Sequence, residues 1–420
     1  MYKLKTSILF IVIFVLATGC LAKKQEDYNK DSKLDSPKQK IPIKEQIQGD
    51  NDTPDQKEIN LIEKQISRMT LDEKIGQLVI VGFEGYMPDE NIRDIIENYH
   101  VGGVILFGRN VENSTQLLGL TNALKGLNSD NKIPLFISVD EEGGMVSRMP
   151  NELLDIPDSR TIGKKNDKNL SHNIGRIIAK EIKSFGFNMN FAPVLDVDSN
   201  KDNPVIGERS FSSDVKIVSE LGIEAMKGMK DGGAIPIVKH FPGHGDTSID
   251  SHVGLPVVNK DLDSLKELEL APFMVAIDNG AEGIMIAHIL FNQIDAENPA
   301  SLSNTIITDI LRKELNYKGI VITDDLTMGA IIESYGIGDA AVKSINAGSD
   351  IILVCHGYEN EIEVLNRLKS AVENGILSKE RIDESVYRIL SLKEEYVIKD
   401  EMIESIDINK INSEIDKIIN

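Results

Sequence analysis

GIVITDD, residues 319–325, is the stretch from which the fold follows. Its first half is apolar without interruption, and it closes on two carboxylates, Asp324 and Asp325. A continuous apolar run of this length reads as a strand covered on both faces, the habit of parallel sheets. Seven other runs share the pattern: QLVIVGF (77–83), GGVILFG (102–108), PLFISVD (134–140), FNMNFAPVLDV (187–197), IPIVKH (235–240), GIMIAHIL (283–290) and DIILVC (350–355). Amphipathic stretches lie between them, among them NIRDIIENY, LSHNIGRIIAKEIKSFG and DSLKELELAPFMVAIDNG. Strands that alternate with helices imply βαβ units. Eight such units predict an α/β fold, a single TIM-type (β/α)8 barrel. A doubly wound open sheet is the alternative that the same alternation allows. A helix over residues 378–396, opened by a Ser378 cap, should follow the last strand.

Polar residues collect where these runs end. Asp140 follows FISV, Lys239 and His240 follow IPIV, His288 follows IMIA, and Asp324–Asp325 follow IVIT. In a barrel those ends share one rim, where chemistry is placed. Buried charge without a partner is expensive, so the rim is either a site or a ring of salt bridges closing the barrel mouth. The loop leaving the fifth run reads KHFPGHGDTSIDSH, residues 239–252. Asp250 and His252 are two apart, and in an extended segment their side chains point the same way. The carboxylate can then hold and charge-stabilise the imidazole, as a general acid/base requires. The plainer alternative is a turn-capping Asp beside a surface His.

This loop resembles the signature of family 3 glycoside hydrolases of the β-N-acetylhexosaminidase branch. Four further segments resemble that family in the same order: VDEEGG (139–144), NPVIGERSF (203–211), IAH (286–288) and ITDDLTM (322–328). The similarity spans residues 60–395. One departure is visible: Met145 stands where the family usually has Arg after the double Gly, while Arg148 is retained. The resemblance implies a retaining exo-β-N-acetylglucosaminidase with Asp324 as nucleophile and His252, paired with Asp250, as proton donor. It further implies that Asp140, Arg148, Arg209, Lys239 and His240 bind the sugar. For Lys239 and Arg209 the alternative is a salt bridge to a rim carboxylate. Asp325 should point away from the reaction, and His244 should fix the loop. His100, His172 and His356 read as structural or exposed. No metal or organic cofactor is implied. A family 3 β-glucosidase or β-xylosidase is the nearest alternative, and a non-catalytic sugar-binding lipoprotein a more distant one.

Composition narrows the partners. The chain has 420 residues, 41% hydrophobic and 27% charged, a globular balance. Its formal net charge of -21 argues against nucleic acid, which demands a basic footprint. Cys20 and Cys355 are the only cysteines, far apart in sequence, so no disulfide framework or zinc spacing is expected.

Residues 1–19 read as a lipoprotein signal peptide: Lys3 and Lys5, a short apolar core, then Ala-Thr-Gly before Cys20 as the lipidated residue. Residues 20–59 are too polar to repay ordering and read as a disordered tether. Residues 60–398 form the catalytic barrel domain and 399–420 a polar C-terminal tail. The address implies a lipid-anchored protein on the outer side of the cell membrane, facing the wall. Its partners would be N-acetylglucosamine-containing glycans such as muropeptides, with oligomeric state left open.

Overall fold

The computed structural model describes residues 61–420 apart from Val253. The expected signal peptide, the lipidated Cys20 and the tether lie outside the described residues. Eight parallel strands close into a barrel: β1 Val79–Val81, β2 Gly103–Leu106, β3 Phe136–Val139, β4 Met189–Asn190, β5 Ile235–Phe241, β6 Gly283–Ile286, β7 Ile320–Asp325 and β8 Ile351–Val354. Each pairs with its sequence neighbour, and β1 closes the ring against β8. All eight apolar runs supply a strand, and the expected (β/α)8 barrel is what forms. The open-sheet alternative is excluded by the β1–β8 pairing.

The helices form for reasons visible in their first residues. Asp89, Asn113, Asp158, Asp167 and Asp214 each accept a hydrogen bond from a backbone N–H of the first turn they precede. Such caps satisfy donors that the helix cannot. Ser378 does the same for the helix Lys379–Glu395, as expected. One helical reading needs correction in detail. DSLKELELAPFMVAIDNG is two helices, Leu262–Glu267 and Ala271–Asp278. Pro272, which has no N–H to donate, suits the start of the second, and the break lets Glu269 turn inward. There it is fully buried and pairs with Lys260 at 2.6 Å, which also reaches Asp246 at 3.1 Å, behind the loop that follows β5.

At the base of the barrel Lys393 is buried and donates to Gln77 Oε1, Gly102 O and Pro134 O at 2.9, 2.8 and 2.6 Å. The segment 399–420 does not stand free of the barrel. Asn122 exchanges two hydrogen bonds with the backbone of Ile403, both 2.9 Å. The helix Ile408–Ile419 is amphipathic and buries Ile411 and Ile415. Asn412 donates to Glu152 O and accepts from Leu154 N. Among the described residues no helix is long and apolar enough to cross a membrane.

Candidate active site

The carboxyl ends of the strands surround a cavity of about 210 Å³. Its floor is an ion-pair cluster drawn from three neighbouring strands. Lys239, at the end of β5, is buried and lies 2.5 Å from Asp140 Oδ1 and 2.7 Å from Glu142 Oε1, both past β3. Arg209, from the loop after β4, grips Glu142 with two hydrogen bonds of 2.8 and 2.9 Å. Burial alone would raise the Glu142 carboxyl. The two cations outweigh it and hold the group far below the usual carboxylate range. The Lys239 ammonium is likewise raised by Asp140 and Glu142 against its burial.

Asp196 organises the other side. It is fully buried, and its Oδ2 accepts from His240 Nδ1–H at 2.7 Å. Its Oδ1 accepts from the backbone N–H of His244 at 2.7 Å. A carboxylate only accepts, so the tautomer of His240 follows from this bond. Gly245 allows the loop to lie this close: a Cβ there would stand 1.6 Å from Val197 O.

Asp324 lies in the cavity wall at the end of β7, its Oδ1 accepting from the Asp325 N–H at 2.9 Å. Burial works to raise its pKa, but His288, His240 and Lys239 more than offset that, and the carboxyl is held below its ordinary value. It is therefore an anion in a partly desolvated site, the form a nucleophile needs. Asp325 is occupied elsewhere. Its carboxylate accepts from the Thr327 N–H, the Thr327 hydroxyl and the Cys355 N–H at 2.9, 2.5 and 3.0 Å. Buried His288 bridges Ser301 Oγ and Asp325 O, and burial lowers its pKa.

Asp250 and His252 do meet: His252 Nδ1 is 2.8 Å from Asp250 Oδ1. The route differs from the extended segment expected. The same Oδ1 accepts the His252 backbone N–H at 2.9 Å, and Gly254 N donates to Asp250 O, so the pair forms on a turn. Between them, Ser251 is buried. Its Oγ reaches His244 Nε2 at 3.2 Å, and its carbonyl accepts from Ala330 N at 3.2 Å, just past β7. The middle residue thus anchors the loop while His252, held by Asp250, lines the cavity. His244 fixes the loop, as read from sequence. Thr247 Oγ1 lies 2.8 Å from its Nδ1, and burial, with His240 beside it, pushes it down to about 4. At neutral pH it is therefore the neutral imidazole, not the imidazolium.

Every sugar-binding residue expected from sequence lines the cavity: Asp140, Arg148, Arg209, Lys239 and His240. The salt-bridge alternative weighed for Lys239 and Arg209 is also present, since both pair with Glu142. Sequence reasoning missed three members. Glu142 sat inside a quoted motif without a role. Asp196 lies one residue short of the end of the fourth run, well past the two paired residues of β4. His356, read as structural or exposed, lies on the cavity wall. Among the described residues no cluster of three or more His, Cys, Asp or Glu groups could hold a metal ion.

A half-buried carboxylate, Asp324, and the imidazole of His252 thus line one small pocket at the C-terminal face of a (β/α)8 barrel, where such barrels place their chemistry. Residues 70–392 match the glycosyl hydrolase family 3 N-terminal domain. The chain is 37% identical over 303 residues to a β-hexosaminidase of Nitrosomonas eutropha, covering 70% of this chain and 86% of that one. It is 35% identical to β-hexosaminidase A of Pseudoalteromonas piscicida, covering 77% of this chain and 61% of that longer relative. Among solved structures, a family 3 β-N-acetylglucosaminidase from a Paenibacillus species superposes with a TM-score of 0.79 at 41% identity, over 83% of this chain and 68% of that one. The chain belongs to glycoside hydrolase family 3, in its β-N-acetylhexosaminidase branch.

Proposed function

We propose that the protein is a retaining exo-β-N-acetylglucosaminidase that removes terminal N-acetylglucosamine from cell-wall muropeptides and related β-glycosides, held on the outer face of the membrane by a lipid on Cys20. The observation that carries the reaction is the half-buried Asp324, its carboxyl held below its ordinary pKa, in a pocket also lined by His252, whose imidazole pairs with Asp250. Asp324 attacks the anomeric carbon while His252 gives its proton to the departing glycosidic oxygen. In the second step His252 takes a proton from water, which displaces Asp324 and releases the sugar with its configuration retained. Asp250 orients the imidazole and stabilises its cationic form. An imidazole in this role avoids placing two carboxylates of like charge around one carbon. The pocket volume favours a terminal ring. It lies below the roughly 300–1,000 Å³ usual for larger ligands. The lipoprotein signal read from the sequence supports a wall-facing substrate, and the names of the related enzymes support an N-acetylhexosamine at its end.

The test is hydrolysis of 4-nitrophenyl N-acetyl-β-glucosaminide beside the corresponding glucoside, with the first-formed anomer read by proton NMR. Preference for the N-acetyl substrate with β-product first is expected, as is release of N-acetylglucosamine from a muropeptide disaccharide. Preference for the glucoside, or an α-product formed first, overturns the assignment.

A further inference from the structure

The mouth of the pocket carries an imidazole that this reaction does not use. His356 follows β8, and its side chain is 51% exposed. It stacks on Phe107, past β2, with ring centroids 5.8 Å apart and planes 27° from parallel. The Arg109 guanidinium lies 4.3 Å from the Phe107 centroid. Arg109 is itself fixed by hydrogen bonds to Phe83 O and Cys355 O at 3.1 and 2.7 Å, and by Glu84 at 2.9 Å. The imidazole edge is flanked by carboxylates, Glu84 at 3.7 Å from Nδ1 and Asp325 at 4.0 Å from Nε2. The ring is thus backed on one face by Phe107, whose neighbour Arg109 is itself fixed.

His252 and His356 are the exposed members of a cavity wall whose other residues are buried or half-buried. The floor, with Lys239 and His240, is closed. Outward from the sugar being cleaved therefore means toward these two imidazoles. In the reaction proposed above, His252 protonates the leaving oxygen, so the leaving group lies at the mouth. From this geometry we propose that the His356–Phe107 stack is the platform for the first ring of the leaving group, a second pyranose that lays its apolar C–H face on the imidazole. The proposal rests on the assignment of Asp324 and His252. A flat ring fixed before binding loses little freedom when it is covered, which favours its use for recognition.

The experiment compares N,N′-diacetylchitobiose with methyl N-acetyl-β-glucosaminide. Both leaving groups are alkoxides that need a proton, and only the first carries a ring. His356→Ala should lower the ratio of kcat/KM for chitobiose over the methyl glycoside by about three- to tenfold. His356→Phe, which keeps a flat ring and removes the titratable nitrogens, should restore that ratio. Hydrolysis of the glycosyl-enzyme, isolated with a dinitrophenyl substrate whose second step limits, should keep its wild-type rate because the leaving group has gone. An equal fall on both substrates, a slowed second step, or failure of His356→Phe to restore the ratio overturns the platform. Failure of the wild-type protein to cleave either substrate overturns the reaction assignment instead, and is told apart by that control.

Discussion

Glu142→Gln removes one charge from a cluster that is otherwise balanced: Lys239 and Arg209 against Asp140 and Glu142. Glu142 is 3% exposed and receives both cations, at 2.7 Å from Lys239 and through two bonds from Arg209. A glutamine offers one acceptor oxygen and turns a donor toward the remaining cation. Breaking a buried pair in this way costs about 3–5 kcal/mol, because the partner charge stays behind without compensation. Against a total of about 5–15 kcal/mol, that is a large fraction of stability. Urea denaturation at pH 7 should show it as a fall in midpoint with little change in slope. The pH dependence carries the sign. The folded-state pKa of Glu142 is depressed below its ordinary value of 4.5, mainly by Lys239 and Arg209 acting against burial. Its stabilisation is therefore complete above pH 4.5 and is lost as pH falls toward the folded value. The gap between wild type and Glu142→Gln should be widest near neutrality and narrow below pH 4.5. A gap under about 1 kcal/mol at pH 7, the range of a solvated surface pair, would refute the buried-cluster account. So would a gap that widens on acidification.

His252→Ala should slow alkyl glycosides far more than substrates with activated phenol leaving groups, and added azide should restore turnover as a β-glycosyl azide; uniform loss without azide product removes His252 as the proton donor. Ser251→Ala should lower kcat about fivefold with little change in KM, since the hydroxyl that ties the loop to His244 is lost while the ion-pair floor proposed to bind the sugar is untouched; an unchanged kcat shows that the Ala330 contact alone holds the loop. Cys20→Ser should move the protein from the membrane fraction to the soluble one with unchanged turnover on a small chromogenic substrate, and equal membrane association of both forms removes the lipid anchor.

The barrel was legible because its strands are apolar on both faces, and eight such runs stand out against a charged background. The site residues at the rim, Asp140, Lys239, His240 and Asp324, were legible because each sits where a run stops, whereas Arg148 and Arg209 came from the family resemblance alone. Asp196 escaped because its run is long. The paired strand is only Met189–Asn190, and the chain continues in extended form, returning to Lys239 through the Val194 bridge. Strand ends read from apolar length alone therefore misplace the rim by several residues there. Glu142 escaped for another reason. Its value lies in two cations brought to it from the ends of β4 and β5, a coincidence that barrel closure creates and no local pattern records.

The Asp-Ser-His loop shows the limit of spacing arguments most clearly. Two residues apart was the right interval for contact between Asp250 and His252, yet the backbone that produces it is a turn. In an extended segment Ser251 would face away from its neighbours with nothing specified to receive it. On the turn it is driven inward, onto His244 and the Ala330 N–H, and that burial anchors the turn from which His252 reaches the cavity wall. A polar loop has no apolar period from which such an inward residue can be read. Its direction is set by a neutral histidine seven positions earlier, which in turn is fixed by Asp196. The order of dependence runs from the buried carboxylate near the end of the fourth run, through His244, to Ser251 and only then to the Asp250–His252 pair proposed to transfer the proton. Sequence reading met that chain at its last link, where the chemistry is exposed, and the links behind it are silent because each is held by tertiary contact alone.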